Sequence, residues 1–96
     1  MSYRLKYTRT FEKQIEKLKK KDRALMEETA KRVEKLQEAP DSGKALKYEL
    51  EPYRAVRVKG KYRLVYTVNE DEKEIILVAF GHRKEIYKFM MLMREE

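Results

Sequence analysis

The chain has 96 residues, of which 43% are charged and 42% are hydrophobic, and its formal net charge is +7. This length predicts one domain, over residues 1–96, with a modest core. The sequence has no cysteine and one histidine, which excludes disulfides and thiolate metal sites, and we expect neither metal nor cofactor. No apolar run approaches the ~20 residues of a membrane span, so we expect a cytoplasmic protein.

The first part of the sequence predicts one strand and two helices. Residues 3–7 alternate apolar or aromatic side chains with basic ones, which is the period of a half-buried strand. Thr8 or Thr10 can cap the helix that follows, and Asp22 can cap a second helix. Apolar residues recur at helical spacing, at Phe11, Ile15 and Leu18 in the first helix and at Leu25, Met26, Ala30, Val33 and Leu36 in the second. Each helix has one apolar side, so we expect a helical hairpin that serves as scaffold.

The rest of the sequence predicts three strands and a final helix. Turn residues at 39–43 end the second helix, and residues 44–50 are ambiguous, with Leu46 and Leu50 as apolar anchors of an irregular segment. Strands are predicted over 53–58, 62–68 and 75–80, the last apolar throughout and ended by Gly81. A helix with apolar residues Ile86, Phe89, Met90 and Met93 follows. The order β-α-α-β-β-β-α predicts an α+β fold: a small antiparallel sheet on which the N-terminal helical hairpin and the C-terminal helix pack.

Charge is distributed unevenly along the chain. Residues 13–38 mix Glu with Lys, as is typical of a solvated face, whereas residues 53–66 contain no acidic residue. The basic residues of that second stretch are Arg54, Arg57, Lys59, Lys61 and Arg63. A patch of one sign favours a polyanionic partner, and the alternative is a heat-adapted, highly charged surface. Because Arg63 lies within one apolar strand and Arg83 directly after another, we expect an anion to bind against the sheet.

Four side chains near the strand ends are candidates for chemistry on a phosphodiester: Arg63, His82, Arg83 and Tyr87. Guanidinium groups bind phosphate bidentately and remain charged when partly buried. RNA supplies its own nucleophile, the 2′-hydroxyl, so the protein need only accept that proton, stabilise the phosphorane and protonate the leaving 5′-oxygen. Tyr87 among cations is a candidate base, and His82 or an arginine a candidate acid. Structural roles stay open for three of them: a snorkelling Arg63, a solvent-facing His82 and a packing Tyr87.

Three short motifs, in this order and spacing, resemble the RelE/ParE toxin superfamily. They are YRAVRV at 53–58, GKYRLVY at 60–66 and GHRKEIY at 81–87, and the approach GKALK at 43–47 is similar as well. The resemblance covers nearly the whole chain and implies a toxin of a type II toxin–antitoxin pair, neutralised by a RelB-like antitoxin. The RelE branch implies an endonuclease that cuts messenger RNA in the ribosomal A site without a metal. The ParE branch implies a toxin that inhibits DNA gyrase and lacks this catalytic set.

The resemblance also implies roles for individual residues. Arg63 would stabilise the scissile phosphate, Arg83 would stabilise charge and assist the leaving group, and Tyr87 matches a tyrosine that acts as base or stacks on a nucleobase. The basic residues that would contact RNA are Arg54, Arg57, Lys59, Lys61 and Lys47. Lys44 stands where some relatives carry a carboxylate base, so His82 could replace Tyr87 or share its role. A gyrase-inhibiting toxin and an inactive RNA- or antitoxin-binding module are the alternatives.

Overall fold

The computed structural model describes residues 2–94, and the side chains of all of these except Glu49 and Arg94. Its elements are β1 (Arg4–Tyr7), α1 (Arg9–Lys21), α2 (Arg23–Glu38), β2 (Lys44–Ala45), a 3-10 turn (Tyr48–Leu50), β3 (Arg54–Val58), β4 (Tyr62–Asn69), β5 (Glu74–His82) and α3 (Arg83–Arg94). The predicted α+β class and order of elements are confirmed. The short strand β2 falls in the segment that was ambiguous, and β5 continues two residues beyond its predicted end. None of the helices within residues 2–94 is long and apolar enough to cross a membrane.

The five strands form one sheet in the order β1-β5-β4-β3-β2. Neighbours from β2 to β5 are antiparallel, whereas β1 is parallel to β5, so the sheet is mixed rather than wholly antiparallel as expected. Hairpin turns make successive strands antiparallel, but β1 reaches β5 without a hairpin. Its direction is set by α1, because the Thr8 hydroxyl donates to the Val78 carbonyl at 2.6 Å and fixes the helix start on β5.

The two helices of the hairpin begin at side-chain caps. The Thr8 hydroxyl accepts from the Phe11 amide at 3.1 Å, and the Asp22 carboxylate accepts from the Leu25 amide at 3.0 Å. Of the two candidate threonines, Thr8 is therefore the cap and Thr10 lies inside the helix. Each cap satisfies an amide that the helix itself leaves without a partner, which explains why both helices start where they do.

The sheet separates two apolar layers. On the hairpin face, Leu64 and Tyr66 of β4 belong to a buried cluster with residues of α1 and α2, namely Phe11, Leu25 and Leu36. On the α3 face, Val65 of β4 belongs to a second cluster with Ile86 and Met90 of α3. Alternation along β4 is therefore confirmed, and β5 is buried from both sides, as its unbroken apolar sequence predicts.

The buried Tyr66 connects the sheet to the loop that precedes β2. Its hydroxyl donates to the Pro40 carbonyl at 2.7 Å and accepts from the Gly43 amide at 2.9 Å. The Arg54 guanidinium donates to the carbonyls of Asp41 and Gly43 at 3.2 and 2.8 Å. These four bonds hold the loop against the hairpin face and so set where the chain enters β2.

Burial raises the pKa of Tyr66, and we expect a measurable effect on stability in alkali. The unfolded chain ionises this phenol at about pH 10, while the folded protein keeps it protonated, so the free energy of unfolding falls as the pH rises from there towards the folded pKa. In Tyr66→Phe this decline should be shallower, although the variant is less stable at neutral pH because two hydrogen bonds are lost. Urea unfolding between pH 8 and 11 measures both slopes, and parallel slopes would contradict the prediction.

Candidate active site

The start of α3 is joined to the turn between β3 and β4. The Arg83 amide donates to the Lys61 carbonyl at 2.8 Å, and Arg83 is the first residue of α3, directly after β5. The turn itself is left-handed, with φ of 47° at Lys59 and 75° at Gly60. Because of this bond, Lys59 and Lys61, both exposed, lie at the same corner of the molecule as Arg83.

Arg63 occupies the centre of a row across the sheet on the α3 face. Its partners in register are Arg57 on β3 and Gly81 on β5, and residues directly opposite each other share a face. Its guanidinium donates to the carbonyls of Gly60 and Tyr62 at 2.9 and 3.0 Å. At Gly81 β5 carries no side chain beside Arg63, and a Cβ added there would meet Ile86 Cδ1 at 3.8 Å, an ordinary contact.

The arginines of this corner have no ion-pair partner in the part of the chain that the structure describes. Among the described side chains, no carboxylate forms a salt bridge with Arg57, Arg63 or Arg83. The surface-exposed Arg57 and Arg83 and the half-buried Arg63 therefore present positive charge that an external anion can compensate.

Tyr87 lies on the same face as Arg63. It is half-buried and packs against the cluster that contains Val65, Ile86 and Met90. It follows Arg83 by four residues in α3, a spacing that places both side chains on one side of the helix. Tyr87 can therefore pack on this cluster and still lie beside the arginines of the corner, so a packing role and a catalytic role are compatible.

His82 lies on the opposite face of the sheet from Arg63. It is paired with Tyr62 in register, and the two rings meet edge to face, with centroids 5.8 Å apart. Its Nδ1 accepts from the Lys84 amide at 3.2 Å, at the first turn of α3. The structure therefore brings Arg57, Arg63, Arg83 and Tyr87 to one corner on the α3 face, and it does not place His82 among them.

Of the other predicted RNA contacts, Lys47 lies on the α3 side and Arg54 does not. Lys47 is exposed between Leu46 and the 3-10 turn, and this segment packs on the α3-face cluster through Leu46 and Leu50. Arg54 is paired with Tyr66 on the hairpin face, where its guanidinium is bonded to two loop carbonyls. Arg54 is therefore separated from the corner that holds Arg63 and Arg83.

A groove of about 1190 Å³ between α2 and β3 adds cations that the sequence analysis missed. Its basic lining residues are Lys31, Arg32, Lys35, Lys44, Arg57 and Lys59, against three glutamates, Glu28, Glu34 and Glu38. The mixed charges of residues 13–38 predict a solvated face. The sequence of a helix does not show which of its charged side chains lie beside a strand, so the cations of α2 that line this groove were not predicted. The spacing of four residues between Lys31 and Lys35, which places both lysines on one side of α2, is the sequence feature that indicates this basic surface. Within residues 2–94, no group of three or more His, Asp or Glu residues is arranged to hold a metal ion.

Comparisons with known proteins agree with this architecture. The sequence profile of the family described as "ParE toxin of type II toxin-antitoxin system, parDE" matches residues 5–87. A curated protein of Methanocaldococcus jannaschii that bears the name RelE4 is 29% identical over 93 residues, which are 97% of this chain and 99% of that protein.

Two solved structures of similar proteins share the fold. The YoeB/ParE toxin from Agrobacterium tumefaciens superposes with a TM-score of 0.77 at 18% identity, over 83% of this chain and 98% of that one. A chain of the toxin–antitoxin complex RelBE2 from Mycobacterium tuberculosis superposes with a TM-score of 0.69 at 26% identity, over 86% and 100%. Since the family profile matches most of its length, the chain belongs to the ParE toxin family of type II toxin–antitoxin systems, within the RelE/ParE superfamily.

Proposed function

We propose that this toxin is a ribosome-dependent endonuclease that cuts messenger RNA in the ribosomal A site. The observation that supports the proposal is the corner on the α3 face, where Arg57 and Arg63 are adjacent in register and Arg83 begins the helix that carries Tyr87. These arginines have no carboxylate partner among the described side chains, so a phosphodiester would supply the missing negative charge. Because the proposed target is the ribosome, the protein is proposed to act in the cytoplasm.

The proposed reaction is transesterification within the RNA. The 2′-oxygen attacks the adjacent phosphorus and the bond to the 5′-oxygen breaks, which leaves a 2′,3′-cyclic phosphate and a 5′-hydroxyl. The phenolate form of Tyr87 accepts the 2′-hydroxyl proton in this scheme and becomes the neutral phenol. Tyr87 is assigned this role because it lies on the face of Arg63 whereas His82 lies on the other. Arg63 and Arg83 stabilise the charge that grows on the phosphorane and on the leaving oxygen, which a solvent proton then neutralises. Neither a metal nor a cofactor takes part in this scheme.

The basic residues around the corner are proposed to hold the RNA backbone. Arg57, Lys59 and Lys61 surround the β3–β4 turn, and Lys47 projects from the segment packed beside α3. These cations can neutralise successive phosphates without reading sequence. Arg54 is proposed to act differently, by holding the carbonyls of Asp41 and Gly43.

We also propose a RelB-like antitoxin as partner. The family profile describes toxins of two-component systems, and the M. tuberculosis relative was solved as a toxin–antitoxin complex. The groove between α2 and β3, with its excess of positive charge, is suited to an acidic segment of such a partner.

The decisive experiment is cleavage on programmed ribosomes. Wild-type protein, added to ribosomes carrying a defined codon in the A site, should yield cuts within that codon that primer extension maps. The same messenger RNA without ribosomes should be cut far more slowly, because the ribosome supplies the alignment of the 2′-oxygen with the phosphate. The upstream product should end in a 2′,3′-cyclic phosphate. No cuts on programmed ribosomes, or a 5′-phosphate on the downstream product, would contradict the proposal.

A gyrase-inhibiting toxin is the second candidate function, and the ParE description of the matching family favours it. Inhibition of DNA supercoiling by purified gyrase, undiminished by Arg83→Ala, would support this function over the endonuclease. An inactive module, the third possibility, would leave cells growing normally when the protein is expressed without an antitoxin.

A further inference from the structure

We infer that His82 is a positioning residue: its neutral imidazole caps α3 and thereby holds Arg83 and Tyr87 in place, and it does not transfer protons. The effect on cleavage rests on the proposed function, whereas the cap can be tested without it. His82 and Tyr87 are the two sequence-predicted candidates for proton transfer, and they lie on opposite faces of the sheet.

His82 lies at the start of α3, in the position of a helix cap. It directly precedes Arg83, the first residue of α3, and its Nδ1 accepts from Lys84, the second. Side chains that cap helices accept from the amide of the second or third helical residue, so the 3.2 Å bond has the geometry of a cap.

Aromatic contacts on the hairpin face hold the imidazole of His82. Tyr62 meets the ring edge to face at 5.8 Å with an interplanar angle of 74°. Tyr62 is itself stacked on Phe80 at 5.7 Å, with the two rings within 1° of parallel. These contacts restrict the rotation of the imidazole about χ1 and χ2 and so hold Nδ1 towards the Lys84 amide.

The hydrogen bond at Nδ1 of His82 determines which ring nitrogen carries the proton. Since Nδ1 accepts a hydrogen bond, the proton of the neutral ring is on Nε2. A general base needs a free lone pair, and that of Nδ1 is already occupied by the Lys84 amide. A general acid needs the imidazolium, whose second N–H would face the Lys84 N–H and break the cap. The charged or ionisable groups nearest in sequence and register are Lys61, Tyr62, Arg63, Arg83, Lys84 and Glu85.

The cap matters for the corner because α3 starts inside it. The amide of Arg83 is held by its hydrogen bond to the Lys61 carbonyl, and the His82 cap holds the next amide of the same turn, that of Lys84. Without the cap, the first turn loses one of its few fixed amides and frays, so Arg83 is less well placed relative to Arg63. Tyr87, one turn later and packed on the α3-face cluster, moves less.

The test compares His82→Asn with His82→Ala. Asparagine is a strong cap but cannot transfer a proton at neutral pH, while alanine removes the cap. On programmed ribosomes, we expect the Asn variant to cleave within about threefold of wild type and the Ala variant to lose about fivefold or more. Rescue by Asn supports the cap. Equal losses in the two variants, or no loss in the Ala variant, would overturn the inference.

An NMR measurement tests the cap independently of cleavage. His82 is the one histidine of the chain, so its ring signals in long-range ¹H–¹⁵N spectra are assigned without ambiguity. We expect the proton on Nε2 at neutral pH, and slow exchange of the Lys84 amide in wild type and in His82→Asn but not in His82→Ala. A ring protonated on Nδ1 would overturn the inference. If no protein cleaves RNA but this pattern holds, the proposed function fails and the cap stands.

Discussion

Arg63→Ala should lower the rate of cleavage on programmed ribosomes by about a hundredfold to a thousandfold. The guanidinium lies in the row with Arg57 and Gly81 on the α3 face, where the neighbouring position carries no side chain and an anion can approach. Removal of one preorganised donor to a developing oxyanion costs that much in enzymes of acyl transfer, and the charge on a phosphorane is stabilised in the same way. Arg63→Lys should retain part of the rate, because lysine keeps the charge but cannot contact two phosphate oxygens in parallel.

The matched control for this loss is Lys73→Asn. This substitution also removes one positive charge. Lys73 lies in the turn between β4 and β5, whereas Arg63 lies at the opposite end of β4. Lys73 has a φ of 54°, a conformation that asparagine tolerates well, so the substitution suits the backbone. Cleavage by Lys73→Asn should match wild type. Equal rates for Arg63→Ala and wild type, in folded protein, would remove Arg63 from the proposed site.

The folded state of the Arg63 variants needs a separate measurement. The guanidinium bonds to the carbonyls of Gly60 and Tyr62 belong to the turn, so their loss should cost stability by about 1 kcal/mol. Thermal unfolding followed by circular dichroism gives this cost. A loss of rate without a comparable loss of folded protein then belongs to chemistry or RNA binding.

Gly43→Ala should be the most destabilising single substitution among the glycines, by about 3 kcal/mol. A Cβ on Gly43 would lie 2.5 Å from Tyr66 Oη and 2.7 Å from Tyr66 Cε1. Tyr66 has no exposed surface and is bonded to Pro40 and Gly43, so it cannot withdraw without losing both hydrogen bonds. The expected decrease in Tm is roughly 12–24 °C for a chain of this size.

Gly81→Ala is the matched control for stability. Its added Cβ would meet Ile86 Cδ1 at 3.8 Å, an ordinary contact, and Gly81 lies within β5, where alanine restricts the unfolded chain more than glycine does. We expect its free energy of unfolding within about 1 kcal/mol of wild type. A Gly43→Ala protein with the same Tm as Gly81→Ala would show that the loop of residues 40–43 can move away from Tyr66.

Local patterns determined most of the elements. Helical spacing of apolar residues placed α1, α2 and α3, because a helix on a sheet must bury one side whatever it packs against. Period-two alternation in β4 predicted which of its residues share a face, since successive side chains of a strand point in opposite directions. The Asp22 cap followed from its position between two apolar periods, and the structure confirms it.

The composition of the corner was also partly predictable. Arg63 and Arg83 are recognisable in the sequence because cations inside or directly after apolar strands are uncommon, although Arg63 also bonds the turn carbonyls of Gly60 and Tyr62. That Tyr87 joins them could be expected from its spacing of four residues after Arg83, although packing and chemistry could not be distinguished.

Relations between strands were decided by the tertiary structure. A period of two assigns faces within one strand, but the face of one strand relative to the next depends on register, which turns and bulges set. The register shifts by one residue between the pairs Val65–Ala79 and Tyr66–Leu77. This shift makes Val78 an extra residue of β5 and lets Val78 and Ala79, consecutive in sequence, both join the α3-face cluster. The parallel pairing of β1 with β5 likewise depends on contacts between residues about 70 positions apart in the chain.

For the same reason, sequence alone determined which residue types are available to the proposed phosphate chemistry, and the fold decided which of them meet. Arg54 and His82 belong to the basic stretch and the strand end, yet register places both on the hairpin face. Arg57 and Arg63 become neighbours through strand pairing, and Arg83 joins their corner through its bond to Lys61. The burial of apolar side chains can be predicted from the sequence, because it follows the local period of each helix or strand. The convergence of charged side chains cannot, because it requires the pairing of segments that are distant in the chain.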